Sequence, residues 1–146
     1  MDPNRATRFM GEGYTCAESV LMAVSQEFEI ENEITHHMAM CFGGGIGLTG
    51  AVCGAVSGAV MAIGLIKGPA ANIQEFQQIM PIAQELRSRF EKEMKTMNCR
   101  ELTGVDLAIP ENFEQYMNSN TPQKVCAPAV EAAYRIVMEL LERRIS

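Results

Sequence analysis

Apolar residues recur at intervals of three or four along most of the chain, a spacing that places them on one face of a helix. No segment shows the strict alternation of apolar and polar residues that is typical of a half-buried strand. The first strong helical segment follows Thr15, which has the T-x-x-E spacing of a capping box with Glu18. The apolar positions of this segment are Cys16, Val20, Val24 and Phe28.

Two further helices are predicted on either side of a glycine-rich break. The second helix starts near Asn32 and ends at the glycine run of residues 43–47. Its predicted inward positions are Ile34, Met38 and Cys41. Thr49 is then predicted to cap a third helix, which runs to about Ile66 and is stopped by a Gly-Pro pair.

The fourth helical segment starts near Asn72 and contains Pro81. Because proline cannot donate the intrahelical hydrogen bond, a kink or a break is predicted near Met80. The second half of the segment has a regular apolar stripe opposite charged residues. That stripe consists of Ile82, Leu86, Phe90, Met94 and Met97.

The last part of the chain combines an irregular region with one long helix. In the irregular region, Asn98 and Glu101 are spaced to cap a short helical turn. The final helix is predicted from Pro122 or Ala127 to about Arg144. Its predicted core face is Val130, Tyr134, Val137 and Leu141.

Together these segments predict an all-α fold: one domain over residues 1–146, built as a bundle of about five main helices around a central helix rich in Gly and Ala. The length of 146 residues and an apolar content of 47% are typical of one globular domain with its own core. The sequence has no internal repeat and no interdomain linker.

Charge and the N-terminal sequence narrow the class of protein. The net charge of -6 argues against nucleic-acid binding, which needs Lys and Arg to neutralise phosphates. The polar start, MDPNRATRF, lacks the apolar region of a secretory signal, so a cytoplasmic location is expected. In a reducing compartment, cysteines are more often reactive or metal-binding than joined in structural disulfides.

The uncharged segment at residues 41–64 contains a literal G-x-G-x-x-G at Gly45, Gly47 and Gly50. A dinucleotide site would need a strand before these glycines and an acidic ribose ligand about twenty residues later, and the sequence offers neither. No Gly-Lys-Ser/Thr follows, so the phosphate-binding loop of nucleotide hydrolases is also absent. The glycines are therefore interpreted as a chain break and a packing surface.

A membrane span is the other interpretation of this segment. Gly50, Gly54 and Gly58 repeat at the spacing of small residues in packed membrane helices. The glycine run shortens the usable helix, however, and the other helices are amphipathic, so a span is not expected and a buried central helix is favoured. Small residues along this helix allow close backbone contact, and a homodimer formed through the same glycine face is predicted.

Four of the five cysteines fall near predicted helix starts: Cys16, Cys53, Cys99 and Cys126. A helix N-terminus stabilises a thiolate, which is both the nucleophile and the metal-binding form of cysteine. The alternative is that these are ordinary core residues, since free cysteine is among the most buried residue types. The sequence has no C-x-x-C, which excludes a zinc ribbon, a thioredoxin-type motif and a haem attachment motif.

The fifth cysteine, Cys41, lies four residues after His37, and this pair is a weaker candidate for metal binding. A metal site needs three or four ligands, which the pair does not supply alone. No Ser/His/Asp arrangement stands out in the sequence.

The cysteines and glycines together resemble a known family. The segment CGAVSG, residues 53–58, has the form C-G-A-x-x-G, and it follows Cys16 in GYTCAESVL and precedes Cys99 and Cys126. FGGGIG before the segment also fits. The chain resembles the C-GCAxxG-C-C family of redox-active proteins over nearly its whole length. The resemblance implies four shared cysteines, with Cys41 extra, and a bacterial or archaeal intracellular protein encoded near transporter genes.

Three hypotheses about function follow. In the first, an oxidoreductase-like protein cycles its cysteines between thiol and disulfide, with Cys53 the most nucleophilic and Cys16 or Cys126 resolving, and with a redox or transporter protein as partner. Arg100 would favour a thiolate at Cys99. In the second, the same four cysteines bind an iron–sulfur cluster or another thiophilic metal. In the third, the protein is a structural helical dimer whose cysteines belong to the core.

Overall fold

The computed structural model describes residues 1–30 and 36–142 and confirms the all-α fold class, since the described residues form helices and turns with no strand. The α-helices are α1 (Arg5–Gly11), α2 (Cys16–Glu27), α3 (Gly54–Lys67), α4 (Ile73–Met94), α5 (Cys99–Thr103), α6 (Pro110–Met117) and α7 (Ala127–Glu142). A 3₁₀ turn covers Met40–Phe42, and a π-helical turn covers Pro122–Cys126. The start of the predicted second helix, residues 31–35, lies outside the described residues.

The core forms where α2, α3 and α7 meet. Helix α2 packs mainly on α3, and α7 contacts α1, α2, α3 and α4. All of the predicted core positions of α7 are buried: Val130, Tyr134, Val137 and Leu141. In α2, Val20 and Val24 are buried as predicted, and the Thr15–Glu18 capping box is present with both of its hydrogen bonds.

Helix α3 lies closest to α2 because its glycines have no side chain. A Cβ at Gly54 would lie 3.1 Å from the Ala17 amide nitrogen, and one at Gly58 would overlap the Ala17 carbonyl oxygen. The glycine face on which the homodimer prediction depends is therefore covered by α2 of the same chain. A homodimer stays a prediction, but this face does not supply its contact.

The predicted start of α3 at Thr49 is wrong, because the helix begins at Gly54. The φ angles of residues 44–48 are all positive, between 58° and 72°, so this stretch cannot be right-handed helix. The Thr49 hydroxyl instead donates to the carbonyl oxygens of Gly45 and Ile46, at 2.8 and 2.7 Å. Gly50 lies in this loop and not on the glycine stripe of α3.

The predicted inward orientation of Met38 and Cys41 is also wrong. Met38 is 66% exposed, and Cys41 is exposed as well. This segment contains a 3₁₀ turn, which rotates different residues toward the core: Ala39 is fully buried, and Phe42 packs against the core.

Helix α4 runs through Pro81 without the predicted break. Its Asn72 cap accepts a hydrogen bond from the Glu75 amide at 2.9 Å, as a helix start near Asn72 predicts. Pro81 has no N–H to donate to the Gln77 carbonyl, so one hydrogen bond of the helix is missing. Both residues are exposed, so the Gln77 carbonyl is accessible to water and the cost is low. The apolar stripe packs as expected, with Leu86 and Phe90 fully buried.

Among the helices in residues 1–30 and 36–142, none has both the length and the hydrophobicity that a transmembrane helix needs.

Replacing Gly58 with Ala is expected to destabilise the protein, because the added methyl group would overlap the backbone of α2. Overpacking costs about 1–3 kcal/mol, and the better helix propensity of alanine returns at most about 1 kcal/mol. The free energy of unfolding, measured in urea, is expected to fall by about 1–2 kcal/mol.

Gly64→Ala on the same helix is the matched control, because Gly64 is exposed and a Cβ there meets nothing within 4 Å. This variant should be more stable by roughly 0.5–1 kcal/mol. Equal effects of the two substitutions would mean that the α2–α3 contact does not depend on the missing side chain.

Candidate thiol site

Four cysteines from four separate segments line one small cavity of about 30 Å³: Cys16, Cys53, Cys99 and Cys126. Tyr116 lines the same cavity, together with apolar side chains that include Leu102, Leu107 and Ala129. Cys53, Cys99 and Cys126 are each between 5% and 8% exposed. Cys16 is partly exposed as a residue, but its sulfur faces the cavity. None of the five cysteines forms a disulfide.

Cys16 reaches the cavity through the start of α2. It is the first residue of that helix, directly after the Thr15 cap. Gly54 lets this turn approach α3, since a Cβ on Gly54 would lie 3.4 Å from the Cys16 Cβ. The close contact of α2 and α3 thus carries Cys16 to the start of α3.

Cys53 and Cys99 are held near one another by a short antiparallel backbone pairing. Val52 and Asn98 form an isolated bridge. The Cys53 amide donates to the Met97 carbonyl at 2.6 Å, and the Cys99 amide donates to the Ala51 carbonyl at 2.8 Å. Because neighbouring positions across such a bridge share a face, Cys53 and Cys99 face the same side.

The glycine-rich loop packs directly on this pairing. A Cβ on Gly45 would lie 2.6 Å from the Ala51 nitrogen and 2.8 Å from the Cys99 Cβ. The Ala51 amide donates to the Gly45 carbonyl at 2.9 Å. Gly45 also has φ +72°, a backbone conformation that glycine adopts without strain. Gly45 therefore lets the loop pack directly against Cys99 and the backbone of Ala51.

Cys126 ends the π-helical turn that precedes α7. Pro128, two residues later, has no N–H and would clash with a carbonyl one turn earlier in a regular α-helix. A wider π turn over Pro122–Cys126 avoids that clash. Cys126 thus sits inside a continuous helical segment that starts at Thr121, and not before a free helix N-terminus.

Among the residues that the structure describes, Tyr116 from α6 is the one side chain outside the cysteines that forms a hydrogen bond with a sulfur of the site. Its hydroxyl oxygen lies 2.9 Å from the Cys126 Sγ. Burial, followed by this contact, raises the Tyr116 pKa, so the phenol stays protonated and donates.

Cys126 differs from the other three thiols of the site because its pKa is lowered and theirs are raised. Its pKa is lowered to about 7, first by a hydrogen bond from Cys16 and also by the one from Tyr116, against the opposing effect of burial. The same hydrogen bond and burial raise the pKa of Cys16, which keeps its proton and donates it. The thiolate of this pair therefore resides on Cys126.

Cys53 and Cys99 keep their protons at neutral pH. Burial raises the pKa of Cys53 to about 11, although the Ala55 and Val56 amides act in the opposite direction. Burial likewise raises the pKa of Cys99 to about 12. The prediction that Cys53 is the most nucleophilic thiol is not supported, because dehydration outweighs the amides at the start of α3.

The expectation that Arg100 favours a thiolate at Cys99 is not supported. Its guanidinium lies 3.5 Å from an Asp106 carboxylate oxygen, and its side chain is 63% exposed. The burial of Cys99 raises the pKa of that thiol with no lowering contribution from Arg100.

The cysteines suit an iron–sulfur cluster in kind but not in placement. Within residues 1–30 and 36–142, no group of three or more His, Cys, Asp or Glu side chains is arranged to hold a metal ion. Cys41 and His37 are exposed and lie outside the cavity that the four cysteines line.

Fold and site together define a small helical protein with four thiols gathered around one nearly closed cavity. The chain belongs to the C_GCAxxG_C_C family, described as "Putative redox-active protein", which it matches over residues 14–140. Its own segment reads CGAVSG, so a glycine follows Cys53 where the family's description places one before the cysteine. The chain matches no curated protein and no solved structure.

Tyr116, whose hydroxyl contacts a site sulfur, was missed by the sequence analysis. It belongs to α6, a helix of eight residues that the irregular composition of that region concealed. The only signal in the sequence is the i,i+3 pair Phe113 and Tyr116, which equally describes an apolar helix face.

Replacing Tyr116 with Phe is expected to raise the pKa of Cys126, because the thiolate loses one of its two hydrogen-bond donors. Hydrogen bonds to charged groups contribute about 1.5–3 kcal/mol, which corresponds to a pKa near roughly 8–9 in the variant. The ultraviolet absorbance of the thiolate, followed against pH, measures this value directly.

Tyr14→Phe is the control for this titration, since Tyr14 is 36% exposed and not part of the cavity. It should leave the Cys126 pKa near 7. A Tyr116→Phe protein with an unchanged thiolate titration would show that the phenol does not stabilise the thiolate.

Alkaline pH is expected to destabilise the protein through Cys53 and Cys99. In the unfolded chain these thiols have a pKa near 9.0, whereas in the folded protein their pKa values are about 11 and about 12. Above pH 9 the unfolded chain therefore binds fewer protons, and the free energy of unfolding falls as pH rises toward these folded pKa values.

Urea unfolding of the wild-type protein and of Cys99→Ala between pH 8 and roughly 10.5 isolates this contribution, because the other titrating groups are common to both. The decline with pH should be shallower in Cys99→Ala. Parallel curves would contradict a raised pKa at Cys99.

Proposed function

We propose that this protein is a thiol oxidoreductase in which Cys126 and Cys16 alternate between a dithiol and a disulfide. The observation that carries the proposal is the position of Cys16 and Cys126 on one cavity, where the Tyr116 hydroxyl lies 2.9 Å from the Cys126 sulfur and the pKa values of the two thiols shift in opposite directions. Membership of a family described as redox-active supports a redox role in general. The assignment of that role to this pair is our inference.

Each member of the pair has the protonation state that its role requires. The Cys126 thiolate is the nucleophile, since a thiolate attacks and a thiol does not. Its pKa of about 7 leaves a large fraction ionised at neutral pH without making it a weak nucleophile. Cys16 remains a thiol in the reduced protein. It becomes nucleophilic only after Cys126 has been modified and the negative charge of the Cys126 thiolate has been removed.

The cycle balances as a two-electron exchange. The Cys126 sulfur attacks an electrophilic atom of the oxidant and displaces a leaving group. Cys16 then loses its proton, attacks the Cys126 sulfur and displaces the part of the oxidant bound there. The two protein thiols lose two electrons and two protons, and the oxidant gains them.

Cys53 and Cys99 have a different part in this proposal. Both stay protonated, and their pKa values respond to charge on Cys126, so they lie around the reactive sulfur as neutral neighbours. A negatively charged neighbour would repel the Cys126 thiolate, and keeping these thiols neutral avoids that repulsion.

Regeneration of the dithiol requires a reducing partner. We propose that the protein acts in the cytoplasm, where small thiols and reducing proteins supply electrons. A redox protein is the expected partner, and a connection to a transporter remains an expectation from the resemblance alone.

The test is to equilibrate the protein with mixtures of oxidised and reduced dithiothreitol and to map disulfides by mass spectrometry after acid quenching. A peptide linking Cys16 to Cys126 is expected at the oxidising end of the series. Cys16→Ser and Cys126→Ser should abolish this link, whereas Cys53→Ser and the exposed-cysteine control Cys41→Ser should retain it.

Two results would contradict the proposal. One is a dominant link between Cys53 and Cys99 in the wild-type protein. The other is a protein that remains fully reduced at every dithiothreitol ratio while Cys126→Ser lowers its stability, which is the behaviour of structural core cysteines.

A further inference from the structure

The size and lining of the thiol cavity identify the oxidant that this pair accepts. We infer that the substrate is a small neutral hydroperoxide, hydrogen peroxide in particular, and that disulfides and bulky organic hydroperoxides react more slowly because the cavity wall must open to admit them. This inference rests on the proposed Cys16–Cys126 cycle and adds the chemical class of its substrate.

Cavity volume is the first argument. The cavity leaves about 30 Å³ of space for the centre of a water-sized molecule, so a molecule of that size fits inside it. Hydrogen peroxide, with two oxygens and no carbon, is only slightly larger than water. Each carbon of an alkyl hydroperoxide adds volume that the lining side chains would have to move to accommodate.

Access to the reactive sulfur is the second argument. Cys126 is 8% exposed, and the side chains around it on the cavity wall include Leu102, Leu107 and Val125. Thiol–disulfide exchange requires the attacked sulfur and its two substituents to reach the thiolate. A disulfide carries a carbon chain on both sulfurs, so it cannot reach Cys126 without opening this wall.

The absence of charge around the cavity is the third argument. Within the part of the chain that the structure describes, the cavity is lined by no Lys, Arg, His, Asp or Glu side chain. Its polar groups are the thiols and the hydroxyls of Thr103 and Tyr116. An anionic oxidant would find no cation to offset its dehydration, whereas a neutral peroxide needs only a few hydrogen bonds.

The first chemical step takes place beside a hydrogen-bond donor. The Cys126 thiolate attacks one peroxide oxygen, the O–O bond breaks, and Cys126 becomes a sulfenic acid as hydroxide leaves. The Tyr116 hydroxyl lies 2.9 Å from the attacking sulfur, so a hydrogen-bond donor is already present beside the reacting atom. The proton that Cys126 released on ionising returns from solvent to the hydroxide and converts it to water, and Cys16 keeps its own proton for the second step.

After the second step, neither Cys16 nor Cys126 carries a charge. Cys16 attacks the Cys126 sulfur as its own proton leaves, and the sulfenic oxygen departs as a second water. In sum, two thiols and one hydrogen peroxide yield one disulfide and two waters. Both products are small enough to occupy or leave the cavity that the peroxide entered.

The experiment measures rates of Cys16–Cys126 disulfide formation in a Cys41→Ser background, which removes the exposed thiol. The oxidants are hydrogen peroxide, tert-butyl hydroperoxide, cumene hydroperoxide and oxidised glutathione, with acid quenching and mass spectrometry as the readout. Hydrogen peroxide is expected to react roughly tenfold or more faster than tert-butyl hydroperoxide, and oxidised glutathione slowest, since pockets discriminate by about 10–200-fold per methylene-sized group.

Val125→Ala tests whether the cavity wall causes this selectivity. Val125 lines the cavity and is half-buried, so its truncation should widen the site without unfolding the protein. The preference for hydrogen peroxide over tert-butyl hydroperoxide should decrease by several-fold. Val60→Ala is the matched control, because Val60 is 43% exposed on α3 and lies outside the cavity, and it should leave the preference unchanged.

The results separate this inference from the proposed function. Faster oxidation by glutathione disulfide than by hydrogen peroxide, with the Cys16–Cys126 link formed, would overturn the substrate class and leave the dithiol cycle intact. An identical size preference in the wild-type and Val125→Ala proteins would overturn the role of the cavity. Failure to form the link with any oxidant, dithiothreitol included, would overturn the proposed function itself.

Discussion

The close contact of α2 with the glycines of α3 is the constraint on which the rest of the site depends. The backbone of Ala17 lies directly against Gly54 and Gly58, so the first turn of α2 packs on the start of α3. That turn begins with Cys16, and α3 begins immediately after Cys53. Glycine inside a helix costs about 1 kcal/mol relative to alanine. The close packing that these glycines allow places two helix starts, each with a cysteine, at one cavity.

Local patterns predicted what local interactions determine. The Thr15–Glu18 capping box and the core face of α7 were predicted correctly, since both depend on side chains a few positions apart. The start of α3 was not, because Cys53 is held by a backbone hydrogen bond to Met97, 44 residues later in the chain. Tyr116 was missed for the same reason: its contact with Cys126 exists only in the folded chain. The cysteines were predicted as a set, but their order of reactivity depends on burial.

That order shows how dehydration competes with hydrogen bonding at a buried thiol. Cys53 has helix amides nearby and still has a raised pKa, whereas Cys126 is also buried and has a lowered one. The difference is that Cys126 accepts hydrogen bonds from two side chains, Cys16 and Tyr116. At Cys126 the side-chain donors lower the pKa by more than burial raises it. At Cys53 the amides of the helix start do not lower the pKa enough to offset burial. Position relative to a helix is therefore a weaker guide to thiol reactivity than the donors that contact the sulfur.

In the proposed cycle, the same contacts make the reduced site ready to be oxidised. A buried thiolate is a charge removed from water, and only two donors compensate it. Formation of a disulfide removes that charge and replaces the hydrogen bond between Cys16 and Cys126 with a covalent bond. The Tyr116 hydroxyl then loses its charged acceptor, but Tyr116 is only half-buried, so water can take that place. The nearly closed cavity supplies the remaining condition, since it limits which oxidant can reach a thiolate that is ionised at neutral pH.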